Sequence, residues 1–215
     1  SDDPDNYDLR ASIEYFQNNF QKSIEDGLKA IKMNPDNATY YYNICSSYLK
    51  AGEYRKALKN IDTAIKLKPK DVNNMFRKGI VLLEQGDRAK STMCFKEAVA
   101  IVESRLTDKS STGDFLNASW YPVFLSEFKK AESNALKGIQ LYPSFPNLHI
   151  NLGHAYLLQG EREKALQEYR YYLENAKSNP KRIFLEDFLR LRQCFPELIT
   201  MLDEVQKELG IADNS

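Results

Sequence analysis

Residues 37–71 read NATYYYNICSSYLKAGEYRKALKNIDTAIKLKPKD, and a second stretch that starts at Pro146 reads PNLHINLGHAYLLQGEREKALQEYRYYLE. Both stretches have a large residue, then an apolar and a small residue, then Tyr at matching positions, and both reach a Gly followed by Glu. Both resume with Ala-Leu and a large residue four positions after that Ala. This spacing predicts two short helices that are joined by a tight turn at Gly and ended by Pro.

The pattern resembles the tetratricopeptide repeat, whose 34-residue unit reads W-x2-L-G-x2-Y, then A-x3-F, then P. The resemblance implies an all-α fold, a right-handed α-solenoid of antiparallel helix pairs. Extending the 34-residue repeat along the chain predicts one domain over residues 1–215, with about five units and a cap. The expected divisions are a degenerate unit at 4–37, units at 38–71 and 72–105, an insertion at 106–111, an irregular unit at 112–145, a unit at 146–179 and capping helices at 180–215.

Departures from the pattern predict local irregularity. Glu103 stands where Pro is usual, so the second helix of that unit is expected to run past its normal end, before a polar loop at 106–111. Pro122 lies inside the predicted first helix of the fourth unit, where it removes a backbone donor. A kink or an early helix end is therefore expected around Trp120. After Pro180, two helical patterns without the motif suit a terminal cap.

Composition excludes several classes of protein. The chain has 30 Lys+Arg and 30 Asp+Glu among 215 residues. This balance argues against nucleic-acid or polybasic membrane binding, which needs a cationic face. No apolar run approaches the roughly 20 residues of a membrane span. Three widely separated cysteines indicate free thiols and a cytoplasmic location. The chain opens without Met and is interpreted as truncated or processed, so export stays open as an alternative.

The sequence has no recognisable constellation for catalysis. His149 and His154 are the only histidines, and their five-residue separation puts them on different sides of one helix, unlike a metal-binding pair. Gly-rich phosphate loops and G-x-S-x-G are absent. Carboxylates alternate with lysines on faces that are expected to be solvated. We therefore predict a protein that is not an enzyme and that holds no cofactor or metal.

Proteins of the resembled family hold peptides or helices of partners in a concave groove lined by their first helices. Carrying the groove positions over gives an apolar and aromatic stripe that suits an amphipathic helix or an extended peptide, with Asn43 and Asn151 bonding its backbone. The alternative is that some of these residues pack against neighbouring helices or the chain's own tail. The predicted partner-binding residues are Tyr42, Asn43, Ser46, Phe76, Arg77, Ile80, Leu116, Trp120, Ile150, Asn151 and His154.

One known ligand class can be tested on the residues. Family members that bind the C-terminal carboxylate of heat-shock chaperones use a clamp of Lys, Asn, Asn, Lys and Arg. The corresponding residues here are Asp8, Ser12, Asn43, Asn73 and Arg77. Only Asn43 and Arg77 match, so this clamp is not expected.

The leading hypothesis is a non-catalytic scaffold for protein–protein interaction, whose partner is a protein or peptide of unknown identity. One alternative is an accessory or regulatory domain of a larger multidomain protein. Another is a self-association module that uses the groove or an end face.

Overall fold

The computed structural model describes residues 3–177 and 179–211. Within these ranges the chain has twelve α-helices, two 3₁₀ segments (Tyr121–Leu125 and Pro196–Leu198) and no strand, so the all-α prediction is confirmed. The α-helices are α1 (Pro4–Phe16), α2 (Phe20–Met33), α3 (Ala38–Lys50), α4 (Tyr54–Leu67), α5 (Val72–Glu84), α6 (Arg88–Glu103), α7 (Thr112–Trp120), α8 (Phe128–Leu141), α9 (Asn147–Leu158), α10 (Arg162–Asn175), α11 (Pro180–Cys194) and α12 (Ile199–Glu208).

Consecutive helices pack in pairs, α1 on α2, α3 on α4 and α9 on α10, as the repeat predicts. The turns within three pairs share one geometry. Gly52, Gly86 and Gly160 have positive φ angles of 73°, 91° and 80°, a conformation that costs Gly little because it has no Cβ. The residue after each Gly donates its backbone N–H to a carbonyl five positions earlier, which closes a Schellman turn.

Small residues in the first helices allow close packing of the second helices. A Cβ on Gly79 would lie 2.5 Å from Cε1 of Phe95, and one on Gly153 would lie 2.6 Å from Cδ1 of Tyr169. Both distances are shorter than real carbon contacts, so the two aromatic rings occupy the space that a side chain would need. In the second unit the same position holds Cys45, which is fully buried. The predicted role of the small residue is therefore explained by its aromatic neighbour.

Three features of the helices depart from a regular repeat. Helix α6 has 16 residues, whereas the second helices α4 and α10 have 14. Residues 106–111 lie outside the helices. Helix α7 ends at Trp120, and Pro122 falls in the 3₁₀ segment that follows. Proline at the start of that segment needs no backbone donor, which is why the chain tolerates it there.

The helices form two compact units, residues 1–101 and 102–215. In the N-terminal unit the buried residues include Tyr40, Ile44 and Ile61. In the C-terminal unit a continuous core joins α9 and α10 to α11 and α12, through side chains such as Tyr169 and Phe188. Among the described helices none has the length and apolarity to cross a bilayer.

Candidate functional site

Hydrogen bonds between residues 35 positions apart join successive first helices. In the N-terminal unit, Asn43 Nδ2 donates to both carboxylate oxygens of Asp8 at 3.0 Å, and Arg77 Nη2 donates to the hydroxyl of Tyr42 at 2.8 Å. In each case the sixth residue of one first helix bonds to the fifth residue of the preceding one. The hydroxyl of Tyr40 also donates to Asp5 across a 35-residue separation. We call this set of bonds the 35-residue ladder.

The ladder presents a surface that a partner can reach. Of the predicted residues in this unit, Tyr42, Asn43, Phe76 and Arg77 are partly exposed. Ser46 and Ile80, one turn further along their helices, are buried and contribute little to the surface. We call the exposed set, together with Asp8, the N-terminal first-helix face.

Aromatic side chains and one cation fix the shape of this face. The guanidinium of Arg77 lies 4.9 Å from the ring centroid of Tyr42, within cation–π range. The ring of Phe76 packs against Phe95 of α6, with 5.3 Å between ring centroids. Both aromatic rings are therefore held by neighbours while part of each stays accessible.

Two charges on the N-terminal first-helix face lack an opposite charge. Within residues 3–177 and 179–211, no cationic group lies at ion-pair distance from Asp8, and no carboxylate lies at ion-pair distance from Arg77. Asp8 accepts hydrogen bonds from Asn43, and Arg77 donates one to Tyr42. Burial raises the pKa of Asp8; the bond from Asn43 opposes this effect and the charge of Asp5 adds to it. A partly buried charge without a counter-ion is electrostatically unfavourable.

A cleft of about 200 Å³ lies beside this face, at the N-terminal ends of α3 and α5. Its volume is below the roughly 300–1,000 Å³ of small-molecule sites, so it fits one or two side chains of a peptide better than a cofactor. One of its lining residues, Tyr42, is a predicted partner-binding residue. The lining consists of Ala38, Thr39, Tyr42, Lys68, Asp71, Asn73 and Asn74.

The C-terminal unit buries most of its predicted partner-binding residues. His154 is fully buried, with its Nδ1 2.8 Å from the hydroxyl of Tyr169 and its ring 5.2 Å from that of Trp120. Its Nε2 lies 3.5 Å from Oδ2 of Asp187 on α11, outside hydrogen-bond geometry. The expected contact of His154 with a partner is therefore corrected: this side chain binds the chain's own helices.

Helix α11 is the element that covers this region. Phe184 and Phe188 are fully buried and stack at 4.0 Å, and the ring of Phe188 lies 5.8 Å from that of His154. Burial, reinforced by the charge of Asp187, raises the pKa of Tyr169 well above its usual range. Full burial of one large apolar side chain contributes about 1.5–3 kcal/mol. Phe184, Phe188 and Leu191 are all buried, so they are the side chains that hold α11 against the rest of the unit.

Asn151 and Ile150 are also removed from the accessible surface. Asn151 Nδ2 donates to the carbonyl of Leu116 at 3.1 Å, again 35 positions away, and to Oγ of Ser119 at 2.9 Å. Both amide hydrogens are thereby used inside the fold, so they are not available to the backbone of a partner. Leu116 and Trp120 are the two predicted residues of this unit that stay partly exposed. The sequence predicts an apolar face on α11 from Phe184 to Leu191, but it does not predict which helices that face packs against.

Cys45 and His149 are two further side chains with reactive groups. Cys45 is fully buried, and burial raises the pKa of its thiol to about 12. His149 Nδ1 lies 2.6 Å from Glu168, and its ring is 4.0 Å from that of Tyr171. Within the part of the chain that the structure describes, no three His, Cys, Asp or Glu side chains are grouped as metal ligands would be.

Comparison with known proteins identifies two of the predicted repeats. Residues 38–71 and 146–179 each match the tetratricopeptide repeat family model. Over 194 residues the chain is 25% identical to protein O-mannosyl-transferase TMTC3 of Homo sapiens; the match covers 84% of this chain and 20% of that protein. The chain thus spans about a fifth of the length of this curated relative.

Solved structures share the fold. A thermophilic TPR protein of Thermus thermophilus gives a TM-score of 0.65 at 21% identity, covering 86% of this chain and 99% of that chain. PilW, a type IV pilus biogenesis factor, gives a TM-score of 0.58 at 19% identity, covering 93% of this chain and 98% of that chain. The tetratricopeptide repeats predicted at 38–71 and 146–179 and the helical-repeat fold are confirmed. Proteins built from these repeats generally mediate protein–protein interactions.

Proposed function

We propose that this chain, a tetratricopeptide helical-repeat protein, is a non-catalytic scaffold that binds a segment of a partner protein on its N-terminal first-helix face. The observation that supports this site is the contrast between the two units. Four of the predicted residues in the N-terminal unit are partly exposed beside a cleft, whereas Ile150, Asn151 and His154 in the C-terminal unit are buried.

The residue types on the face favour a peptide ligand. Partly exposed Tyr and Arg side chains are the usual energetic centres of protein interfaces, and here Tyr42 and Arg77 support each other. Tyr42 also lines the cleft, so one ligand could contact the face and insert a side chain next to it. No cofactor is needed for such binding.

A chaperone carboxylate is not the proposed ligand. Asn43, one of the two residues that match the carboxylate clamp, already donates to Asp8. The negative charge of Asp8 would repel a second carboxylate at that position.

Photo-crosslinking tests the site directly. Benzoylphenylalanine is incorporated at Thr39, which is exposed and lines the cleft, or at Lys59, which is exposed on α4. The Thr39 probe is expected to capture a partner, identified by mass spectrometry, that the Lys59 probe does not. With the purified partner, Tyr42→Ala is expected to weaken binding at least tenfold, about 1.4 kcal/mol, and Arg55→Ala on exposed α4 to leave it unchanged. Identical captures from both probes, or unchanged binding by Tyr42→Ala, would contradict the proposal.

A second role, as an accessory or regulatory domain of a longer polypeptide, is favoured by the length of the curated relative, of which the match covers 20%. An antibody against this chain should then detect an endogenous species much longer than 215 residues in an immunoblot. A species of about this length would remove the proposal.

Self-association has one feature in its favour, an apolar stripe on α1. Leu9, Ile13 and Phe16 are 62%, 48% and 60% exposed and recur at helical spacing. Three side chains supply well under the roughly 800 Å² per partner of a stable interface. Light scattering is therefore expected to report a monomer at micromolar concentration; a concentration-dependent dimer lost in Phe16→Lys would favour self-association.

A further inference from the structure

The N-terminal first-helix face is electrically polar, with Asp8 on α1, the neutral side chains of Tyr42 and Asn43 on α3, and Arg77 on α5. We propose that this face selects an extended peptide by the order of its charges: a basic side chain pairs with Asp8, an acidic side chain pairs with Arg77, and an apolar residue between them contacts Tyr42. This inference rests on the proposed function and specifies the chemistry of the ligand.

The acidic end of the face has no internal counter-ion. Arg10 on α1 and Lys29 on α2 both pair with Asp26, at 2.5 and 3.3 Å, so neither neutralises Asp8. Asn43 contributes a neutral donor, which orients the carboxylate of Asp8 without cancelling its charge. A ligand Lys or Arg would supply the missing positive charge, and partial burial strengthens such a pair relative to one in water.

The basic end of the face, at Arg77, also lacks an internal counter-ion. Arg77 contacts Tyr42 through a hydrogen bond and a cation–π interaction. A guanidinium has five N–H donors in a planar fork that suits bidentate binding of a carboxylate. Tyr42 positions this group, because its hydroxyl accepts a hydrogen bond from the guanidinium and its ring lies in cation–π contact with it. A ligand Asp or Glu is therefore the side chain that Arg77 fits.

The spacing of the two charges follows from helix packing. Neighbouring helices lie about 8–10 Å apart, so α1 and α5, each bonded to α3, are about 16–20 Å apart. Asp8 and Arg77 both contact side chains of α3, so their charged groups lie closer together than these helix axes. An extended chain advances about 3.3 Å per residue, so the ligand charges should be no more than about five residues apart. A helical ligand, at about 1.5 Å per residue, would place them up to about ten residues apart. The two conformations therefore predict different sequences.

Phage display of random dodecapeptides on the full chain tests the inference. Peptides enriched on the wild type are expected to carry a basic and an acidic residue no more than about five positions apart, with an apolar residue between. Asp8→Asn should abolish the basic preference, and Arg77→Gln should abolish the acidic one. The matched controls Asp36→Asn and Arg55→Gln, at exposed positions, should leave both unchanged. In fluorescence anisotropy, the best synthetic peptide should lose at least tenfold in affinity with each site variant.

Folding is checked separately by circular dichroism. Arg77→Lys keeps the charge and should retain the acidic preference, whereas the double variant Asp8→Arg, Arg77→Glu should select the reversed charge order. Enriched peptides that require Tyr42 but lack the charge pair would overturn this inference and leave the proposed function standing. Enrichment of charge pairs that is insensitive to both site variants would also overturn it. No enrichment on any variant would overturn it too, while the crosslink at Thr39 would still test the proposed function.

Discussion

Phe188→Ala on α11 should destabilise the C-terminal unit strongly. The ring is fully buried, stacks on Phe184 at 4.0 Å and lies 5.7 Å from the ring of Tyr169. Losing its burial costs about 2–3 kcal/mol, and the cavity left behind raises the total to about 3–5 kcal/mol. The substitution is therefore expected to remove much of the stability of this unit.

The assay is urea unfolding followed by tryptophan fluorescence. Trp120 is the single tryptophan and lies in this unit, 5.2 Å from His154, so it reports on the covered region. With a slope of about 2 kcal/mol per M, a loss of about 4 kcal/mol lowers the midpoint by about 2 M. Quenching of Trp120 by acrylamide should also increase in the variant at low denaturant.

Leu189→Ala is the matched control, because Leu189 neighbours Phe188 on the same helix but is 48% exposed. Its effect is expected to stay within about 0.5 kcal/mol. Equal midpoints for the two variants would refute the view that α11 covers the first helices of this unit. The buried residues Ile150 and His154 would then return as candidates for partner binding.

Gly153→Ala should cost about 1–3 kcal/mol in urea unfolding, because its Cβ would overlap the buried ring of Tyr169. A Cβ on Gly113 would meet only Oγ of Ser111, at an ordinary contact distance of 3.6 Å, so Gly113→Ala should be neutral or stabilising; equal effects would contradict this packing. The hydrogen bond from Arg10 lowers the pKa of Asp26 in the folded protein. The Asp26 carboxylate therefore stabilises the fold above its unfolded pKa of about 3.9, and this stabilisation is lost as pH falls through the pKa of the folded state. Wild type should therefore lose more stability than Asp26→Asn on acidification, and parallel curves would count against the pair. The pKa of Asp8 is raised, chiefly by burial, so its stabilising contribution is present below about 3.9 and lost as pH rises through the folded value. Asp8→Asn should accordingly have a higher urea midpoint than wild type at pH 7 but not at pH 3, and a lower midpoint at pH 7 would be inconsistent with this sign.

Much of the fold could be predicted because the repeat depends on local residue pairs. Gly153 needs a large partner sixteen positions later, and Tyr169 is there. Pro122 cannot lie inside a regular helix, so the end of α7 near Trp120 followed from its chemistry. Such features connect residues within one unit, where sequence spacing fixes spatial neighbours.

The candidate site could be predicted only in part. Groove positions were read from the first helices alone, and they include His154, which a later helix buries. Helix α11 lacks the repeat motif, so its apolar residues indicated a buried face without indicating what that face contacts. The spacing of residues in the sequence does not predict the hydrogen bond between Asn43 and Asp8 either. This bond depends on which nearby polar groups lack other partners.

The 35-residue ladder also constrains where the chain can change its length. Asn43–Asp8, Arg77–Tyr42 and Asn151–Leu116 each join residues at the same separation. A residue added to or removed from a first helix before its donor turns that donor by about 100° around the helix axis and breaks the bond. The loop at 106–111 falls between these bonded pairs and interrupts none of them. Natural insertions and engineered tags in this loop should therefore leave the ladder intact, whereas insertions inside the bonded first helices should break it.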